Sequence, residues 1–357
     1  SRRGWRLPVI AVSMWLVVSL VAGGLYPWFV QRFQVEPNPT AREEPYLEDN
    51  IAATRDAFGL DSVEELNFDY TKQPTDAAIA ENQATIENIR LLDPVVVQDT
   101  YSTLESKFDF YAFNDLDVDR YLIDGRPTHV VLGTRDLSPG GVPRKTWESQ
   151  HLAYTHGYGV VVSEVNRTTE DGLPMLLVKD APPVIETPDL NITRPAIYYG
   201  EVTHDPVFVN TKQGEFEYPS GGDNVFTNYE GSGGFPIGSL AMRVAAAISE
   251  GEINILLTEQ ITPDSRMMIY RDVRQRLQRL AGFVSWDDDP YLVNTKDGHL
   301  VWIVDGYTVS GSHPYSAFFP AGSRTRINYI RNSVKATVDA YNGETKIYVY
   351  DDEDPII

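Results

Sequence analysis

The stretch "VKATVDAYNGETKIYVYD" (334–351) alternates apolar and polar residues on either side of Asn342-Gly343, the strongest short-range signal for a β-hairpin. It predicts strands near 334–341 and 345–351, joined by a type I′ turn with Gly343 at positive φ. "YLVNTKDGHLVWIVDGYTVS" (291–310) repeats the arrangement around Asp297-Gly298, so the last quarter of the chain reads as hairpins. Five more strand-like runs lie upstream: "KFDFYAF" (107–113), "THVVLGTR" (128–135), "GYGVVVSEV" (157–165), "AIYYGEV" (196–202) and "PVFVNT" (206–211). The Gly-, Pro- and Asn-rich segment 212–238 reads as an irregular excursion.

Helical patterns are interspersed. Asn50 is placed to cap "IAATRDAFGL", a short helix stopping at Gly59. A second helix should begin near Thr75 or Asp76 and stop before Pro94, with Ile79, Ile86 and Ile89 on one face. "SLAMRVAAAIS" (239–249) puts Leu240, Val244, Ala247 and Ile248 on one helical stripe, closed by Gly251. Asp264 opens a further helical region, with Ile269, Val273, Leu277 and Leu280 inward, ending at Gly282. The fold class is α+β: a mostly antiparallel sheet with packed helices, preceded by one transmembrane helix.

That helix is the 25-residue run Leu7–Gln31, which holds no charged side chain. A hydrocarbon core of ~30 Å needs about 20 helical residues, and a signal-peptide apolar region is shorter, so a membrane span is the expected reading. Trp5 near one end and Tyr26 and Trp28 near the other suit the two interfaces, and Pro27 should bend or end the helix. Arg2, Arg3 and Arg6 flank one end and Arg32 alone the other, which places residue 1 in the cytoplasm and residues 45–357 outside. The expected organisation is a transmembrane helix with a short cytoplasmic flank (1–32), an acidic linker (33–49) and an extracytoplasmic α+β domain (50–357). Any division of that domain into two subdomains would fall near 212–238.

Beyond residue 32 the chain carries 26 Lys and Arg against 51 Asp and Glu, a net charge of −25. Such a surface repels nucleic acid and anionic headgroups. With no Cys there are no disulfides or thiolate metal sites.

Long blocks carry a resemblance: "YPWFVQRFQVEPN", "EEPYLEDNIAATRDAFGLD", "NIRLLDP", "DVDRY", "YTHGYGVVVSEVN", "IYYGE", "DDDPYLV", "VWIVDGYTVS" and "NYIRNSVKATVDAYNGETKIYVYDDEDPII", in this order. Together they closely resemble the uncharacterised bacterial family catalogued as Uncharacterised Protein Family one-eight-two. The resemblance implies a multi-pass bacterial membrane protein with a large extracytoplasmic region. It also implies a fragment that starts at the last span and stops inside the exported part. It implies no catalytic residue.

The residues themselves offer few centres of chemistry. Two carboxylate groups, Asp287, Asp288 and Asp289 in "WDDDPY" and Asp351, Asp352 and Asp354 in "YDDEDP", are the candidate metal ligands, for Ca²⁺, which takes six to eight oxygens. Neither matches an EF-hand loop, and ordinary solvated turns are the alternative. Of the six His (129, 151, 156, 204, 299 and 313), His151 and His156 stand five apart, out of register for a helix pair, with His204, Asp205 or Glu164 as the partners a metal or acid/base site would need. "YEGSGGFPIGS" before the 239–249 helix reads as a tight turn, with anion binding as the alternative. "SGSHPYS" (310–316) sets Ser beside His in sequence only. The expected function is binding or scaffolding in the bacterial cell envelope, with the lipid bilayer and an envelope glycan, lipid or protein as partners and no nucleic acid. The alternatives are an envelope-active enzyme, hydrolytic or metal-dependent, and an accessory part of a membrane transporter. A deep pocket of converging His and carboxylates would favour the enzyme, and a broad exposed groove would favour binding.

Overall fold

From Arg6 to Val35 the chain is one apolar helical run, α-helical over Arg6–Leu20 and Tyr26–Val30, with single π-turns at Val21–Leu25 and Gln31–Val35. The computed structural model describes residues 4–67, 70, 73–106, 108–220, 223–314, 316–321 and 325–357. It separates into two compact units, Ser1–Pro74 and Thr75–Ile357.

In the first unit the most apolar 18-residue window of the 30-residue helix has a mean hydropathy of 2.1 and none of it is buried, so the helix is long and apolar enough to cross a membrane. Of the two outcomes expected at Pro27, a bend or an end, the end does not occur. Proline has no N–H to donate and its ring crowds the carbonyl four residues back; here the preceding turn, Val21–Leu25, is widened and the helix continues. The segment read as a linker is also helical: Pro39–Ala57 is continuous, with Pro39 in its first turn. Asn50 therefore lies inside a helix rather than capping one, and its amide donates to the Tyr46 carbonyl at 2.8 Å. The stop falls near the expected place, with Gly59 left-handed at φ 64°.

The second unit is built on two antiparallel five-stranded sheets. The first runs Leu116–Ile123, Arg126–Thr134, Val160–Thr168, Pro174–Lys179 and Val184–Ile185 in spatial order. Its central strands are buried on both faces. Val131, Val161 and Val165 pack under Val97 and Tyr101 of the helix Pro94–Glu105, while Val130, Leu132, Val160 and Val162 face the main core. That helix matches no element expected from the sequence. Asp93 caps it at the Val95 N–H (3.1 Å), and Pro94 occupies its first turn.

The second sheet contains both expected hairpins. Tyr291–Asn294 and Ser285–Trp286 pair with Leu300–Ser310, which pairs with Tyr329–Asp339 and through it with Thr345–Val349. Gly298 and Gly343 sit at φ 78° and 68°. The second turn is not type I′, since Asn342 is not at positive φ. Instead the Gly343 N–H reaches back to the Asp339 carbonyl (2.8 Å), and the Asp339 carboxylate accepts the Tyr341 and Asn342 N–H groups. This frees the Asn342 side-chain oxygen to accept from the Tyr229 hydroxyl (2.8 Å) and the Ser232 N–H (3.0 Å).

Other expectations need correction. The run 107–113 yields only the strand Tyr111–Ala112, with Lys107 outside the described residues; 196–202 and 206–211 shrink to Ala196–Ile197 and Val207–Val209. Gly159 at φ 77° splits 157–165 into two strands. The segment 212–238 is less irregular than expected, holding the paired strands Glu215–Ser220 and Asp223–Thr227, with 221–222 outside the described residues. Thr75 caps Asp76–Glu81 as expected, but Asn82 breaks the helix before Gln83–Ile86, and Ile79, Ile86 and Ile89 stay largely exposed. Leu240–Glu250 is helical, capped by Ser239 and closed by Gly251, yet it buries Ala246 and Ala247 and leaves Leu240 and Ile248 71% and 77% exposed. Beyond Asp264 the chain first forms the strand Arg266–Met268. Asp272 then caps Val273–Leu280, which buries Val273 and Leu277 but not Leu280. The largest core cluster, from Phe110 to Ala340, draws on residues both before and after 212–238.

Candidate functional site

The helix Val273–Leu280 and the strand Ser285–Trp286 flank an open groove of about 310 Å³, lined by Arg274, Gln275, Gln278, Trp286, Asp287 and Asp288. Capping by Asp272 starts the helix one residue before Arg274, so Arg274, Gln275 and Gln278 share one face. Trp286 stands opposite Gly306 on the neighbouring strand, where an added Cβ would lie 2.9 Å from the indole ring. Its Nε1–H donates to the Ala281 carbonyl at 3.0 Å, and the ring packs on Ala281, Val284 and Val334. Asp287 is oriented by the Tyr307 hydroxyl (2.8 Å) and accepts the Asp289 N–H, while Asp288 is exposed. Arg274 donates to the Asp288 carbonyl (3.3 Å) and approaches Asp272 (3.9 Å).

Two of the candidate metal ligands therefore line this groove, and burial, reinforced by the neighbouring Asp115, raises the Asp289 carboxyl above the usual range. Those at the C-terminal end are engaged by protein donors. Asp351 is gripped by Arg331 through both carboxylate oxygens, and Asp352 is exposed. Asp354 is buried and accepts from Thr308, Ser333, Tyr329 and the Ile356 N–H. Among the described residues no group of three or more His, Asp or Glu is placed to hold a metal ion.

Burial alone would raise the Asp354 carboxyl, but these hydrogen bonds outweigh it and hold it at about 2 against an ordinary 3.8. A carboxyl titrating lower in the folded chain contributes fully above its unfolded value, and that contribution is lost as pH falls through the folded one. Melting temperature should consequently drop more steeply for the native chain than for Asp354→Asn between about pH 5 and about pH 2. Parallel melting curves would assign the acid sensitivity elsewhere.

The histidines do not assemble. His151 Nδ1 lies 2.6 Å from the Pro206 carbonyl and its ring rests on Trp147. His156 is buried against Tyr198, 2.8 Å from the Thr155 hydroxyl, and burial, with the Arg271 charge adding, lowers it to about 3, so it is neutral at physiological pH. His204 approaches Asp272 (3.3 Å) at the rim of a crevice with room for about one water, floored by Arg271. Glu164 pairs with Arg167 instead of any histidine. His313 is exposed and stacks on Tyr329, and Tyr315 of the same motif lies outside the described residues. The Gly-rich loop 229–239 is not a tight turn but an extended loop that carries the strand Phe235–Pro236, paired with Arg266–Met268. Arg266 donates to the carbonyls of Ser232, Gly233 and Gly234, and the Tyr229 hydroxyl accepts the Gly233 N–H.

Two polar arrangements carried no sequence signal. Glu215, fully buried, accepts from the Tyr198 (2.6 Å) and Thr155 (3.0 Å) hydroxyls and from the Asn210 (3.2 Å) and Tyr229 (3.0 Å) N–H groups. On the edge strand Leu116–Ile123, Asp117 and the Tyr121 hydroxyl each accept an N–H of the other sheet's edge strand, from Leu292 and Asn294, both at 2.9 Å. Burial, reinforced by Asp115, Asp289 and Asp119, raises Asp117 to about 7.

In comparisons with known proteins, the profile described as Uncharacterised protein family (UPF0182) matches residues 1–357. A UPF0182 protein of Solibacter usitatus is 49% identical over 98% of the chain, one of Sulfurovum sp. 44% over 98%, and one of Pelotomaculum thermopropionicum 42% over 99%. The chain spans 38–39% of the length of these relatives. No solved structure matches it.

Proposed function

Since the chain belongs to the uncharacterised protein family UPF0182, whose name carries no activity, we propose from its geometry that it is a membrane-anchored binding module of the bacterial cell envelope. The observation that carries this reading is the form of the cavities. The groove at Trp286 is open, with Gln275, Gln278 and Asp288 exposed on it, whereas the crevice at His204 has room for only about one water. An open groove suits a partner that extends past it.

Anchoring is supported by the helix Arg6–Val35, whose apolar side chains lie exposed rather than in a core. Arg2, Arg3 and Arg6 against Arg32 orient the N-terminal end to the cytoplasm, with residues 45–357 outside. An alkaline-phosphatase reporter fused after Asn38 is expected to be active in intact cells. Activity there of a reporter that functions only in the cytoplasm would reverse the orientation.

For binding, the full chain in detergent should be retained by isolated cell-envelope material and released from it by the paired substitutions Gln275→Ala and Gln278→Ala. Both side chains are exposed, so the fold should be unaffected. Retention unchanged by the pair would remove the groove from the reading.

A further inference from the structure

We propose that the groove takes an uncharged, hydroxyl-rich sugar chain, one ring of which stacks on Trp286. The inference rests on the binding reading above and names its ligand class.

The first support is the indole. Its Nε1–H is engaged by the Ala281 carbonyl and its six-membered ring is seated over Gly306, so it is fixed in place with no free donor. What it offers the groove is a rigid apolar surface. A pyranose has one face rich in C–H groups and a rim of hydroxyls, and matches an aromatic surface flanked by polar side chains.

The second support is the flanking set. Gln275 and Gln278 present amides that both donate and accept, and Asp288 presents a carboxylate with two acceptor oxygens. The Gln275 amide and the Asp288 carboxylate have no hydrogen-bond partner among the described residues. Each sugar hydroxyl is donor and acceptor together, so adjacent hydroxyls can bridge such groups. Asp287, already oriented by Tyr307, adds a further acceptor at one end.

Charge decides between sugar classes. Two carboxylates line the groove and the whole chain carries −21, which disfavours uronic acids, phosphate-bearing polymers and anionic headgroups. The one guanidinium present, Arg274, donates to the Asp288 carbonyl and lies near Asp272 instead of standing free for an anion. At about 310 Å³ the groove holds a ring or two, with the chain continuing into solvent at its open ends.

The test uses the full chain in detergent micelles, titrated with the β-1,4-linked tetramer of N-acetylglucosamine and with a tetraglucoside, followed by calorimetry and by saturation-transfer NMR. Saturable binding of at least one sugar is expected. It should be weakened at least about tenfold by Gln275→Ala with Gln278→Ala, and by Trp286→Ala, and less by Trp286→Phe, which keeps a ring. Should Trp286→Ala fail to fold, the glutamine pair decides alone. No saturable binding of either sugar up to about 10 mM, or binding untouched by the glutamine pair, overturns the proposal. A tetra-alanine peptide binding through the same residues in place of sugar also overturns it. If envelope material is still retained through Gln275 and Gln278 while neither sugar binds, the ligand class fails and the binding module stands.

Discussion

Replacing Glu215 by alanine should destabilise the second unit by about 3–5 kcal/mol, the range for removing one partner from a buried charged network. Its carboxylate is the shared acceptor of two hydroxyls and two backbone N–H groups drawn from Thr155, Tyr198, Asn210 and Tyr229. Alanine would remove the common acceptor of all four donors at a fully buried position. Glu215→Gln should cost only about 1–2 kcal/mol, because its remaining oxygen can accept the two N–H groups while the hydroxyls turn to accept from the amide. Denaturant unfolding of the full chain in detergent, followed by near-UV circular dichroism, separates the two variants. Equal losses would mean that lost packing rather than hydrogen bonding sets the effect.

Gly343→Val is the second large effect, expected at about 3 kcal/mol or more. A β-branched residue at φ 68° is strained by about 1–3 kcal/mol before any contact is considered. Its Cβ would also stand 2.4 Å from the Tyr199 ring, which has little freedom to retreat. The Tyr199 N–H is bonded to the Ala340 carbonyl, its own carbonyl accepts the Trp302 Nε1–H, and Arg276 lies over the ring. Gly125 supplies the control: it turns the hairpin between Leu116–Ile123 and Arg126–Thr134 at φ 73° with no heavy atom within 4 Å of an added Cβ. Gly125→Val should show the backbone strain alone. Matching losses at the two glycines would remove the Tyr199 contact from the explanation.

These two sites differ in what the sequence revealed. Gly343 was legible because a turn between alternating strands has a local chemical signature, even though the turn type was not. Asn342 departs from the expected conformation because its side chain joins Tyr229 and Ser232, more than a hundred residues away. Glu215 was illegible: its four donors are spread over positions 155–229 with no common period. The helix Pro94–Glu105 was illegible because three successive valines mask its period, and Leu240–Glu250 packs through Ala246 and Ala247, of which only Ala247 lay on the expected stripe. Half of the groove, Trp286–Asp288, could be seen as a cluster. The other half lies on a helix that no sequence rule sets beside it.

The bonds from Asp117 and Tyr121 to the Leu292 and Asn294 amides give those two amides an unusual property. In most sheets a protected amide reports the ladder it belongs to, and edge amides exchange with solvent freely. Here two outward-facing edge amides are covered by side chains of the other sheet. Their hydrogen–deuterium exchange therefore measures the opening of one sheet from the other, independently of either sheet's own ladder. The two amides should also behave differently as alkalinity rises, since only Asp117 gains charge beside its carboxyl neighbours while the Tyr121 hydroxyl, pushed further up by burial, stays neutral.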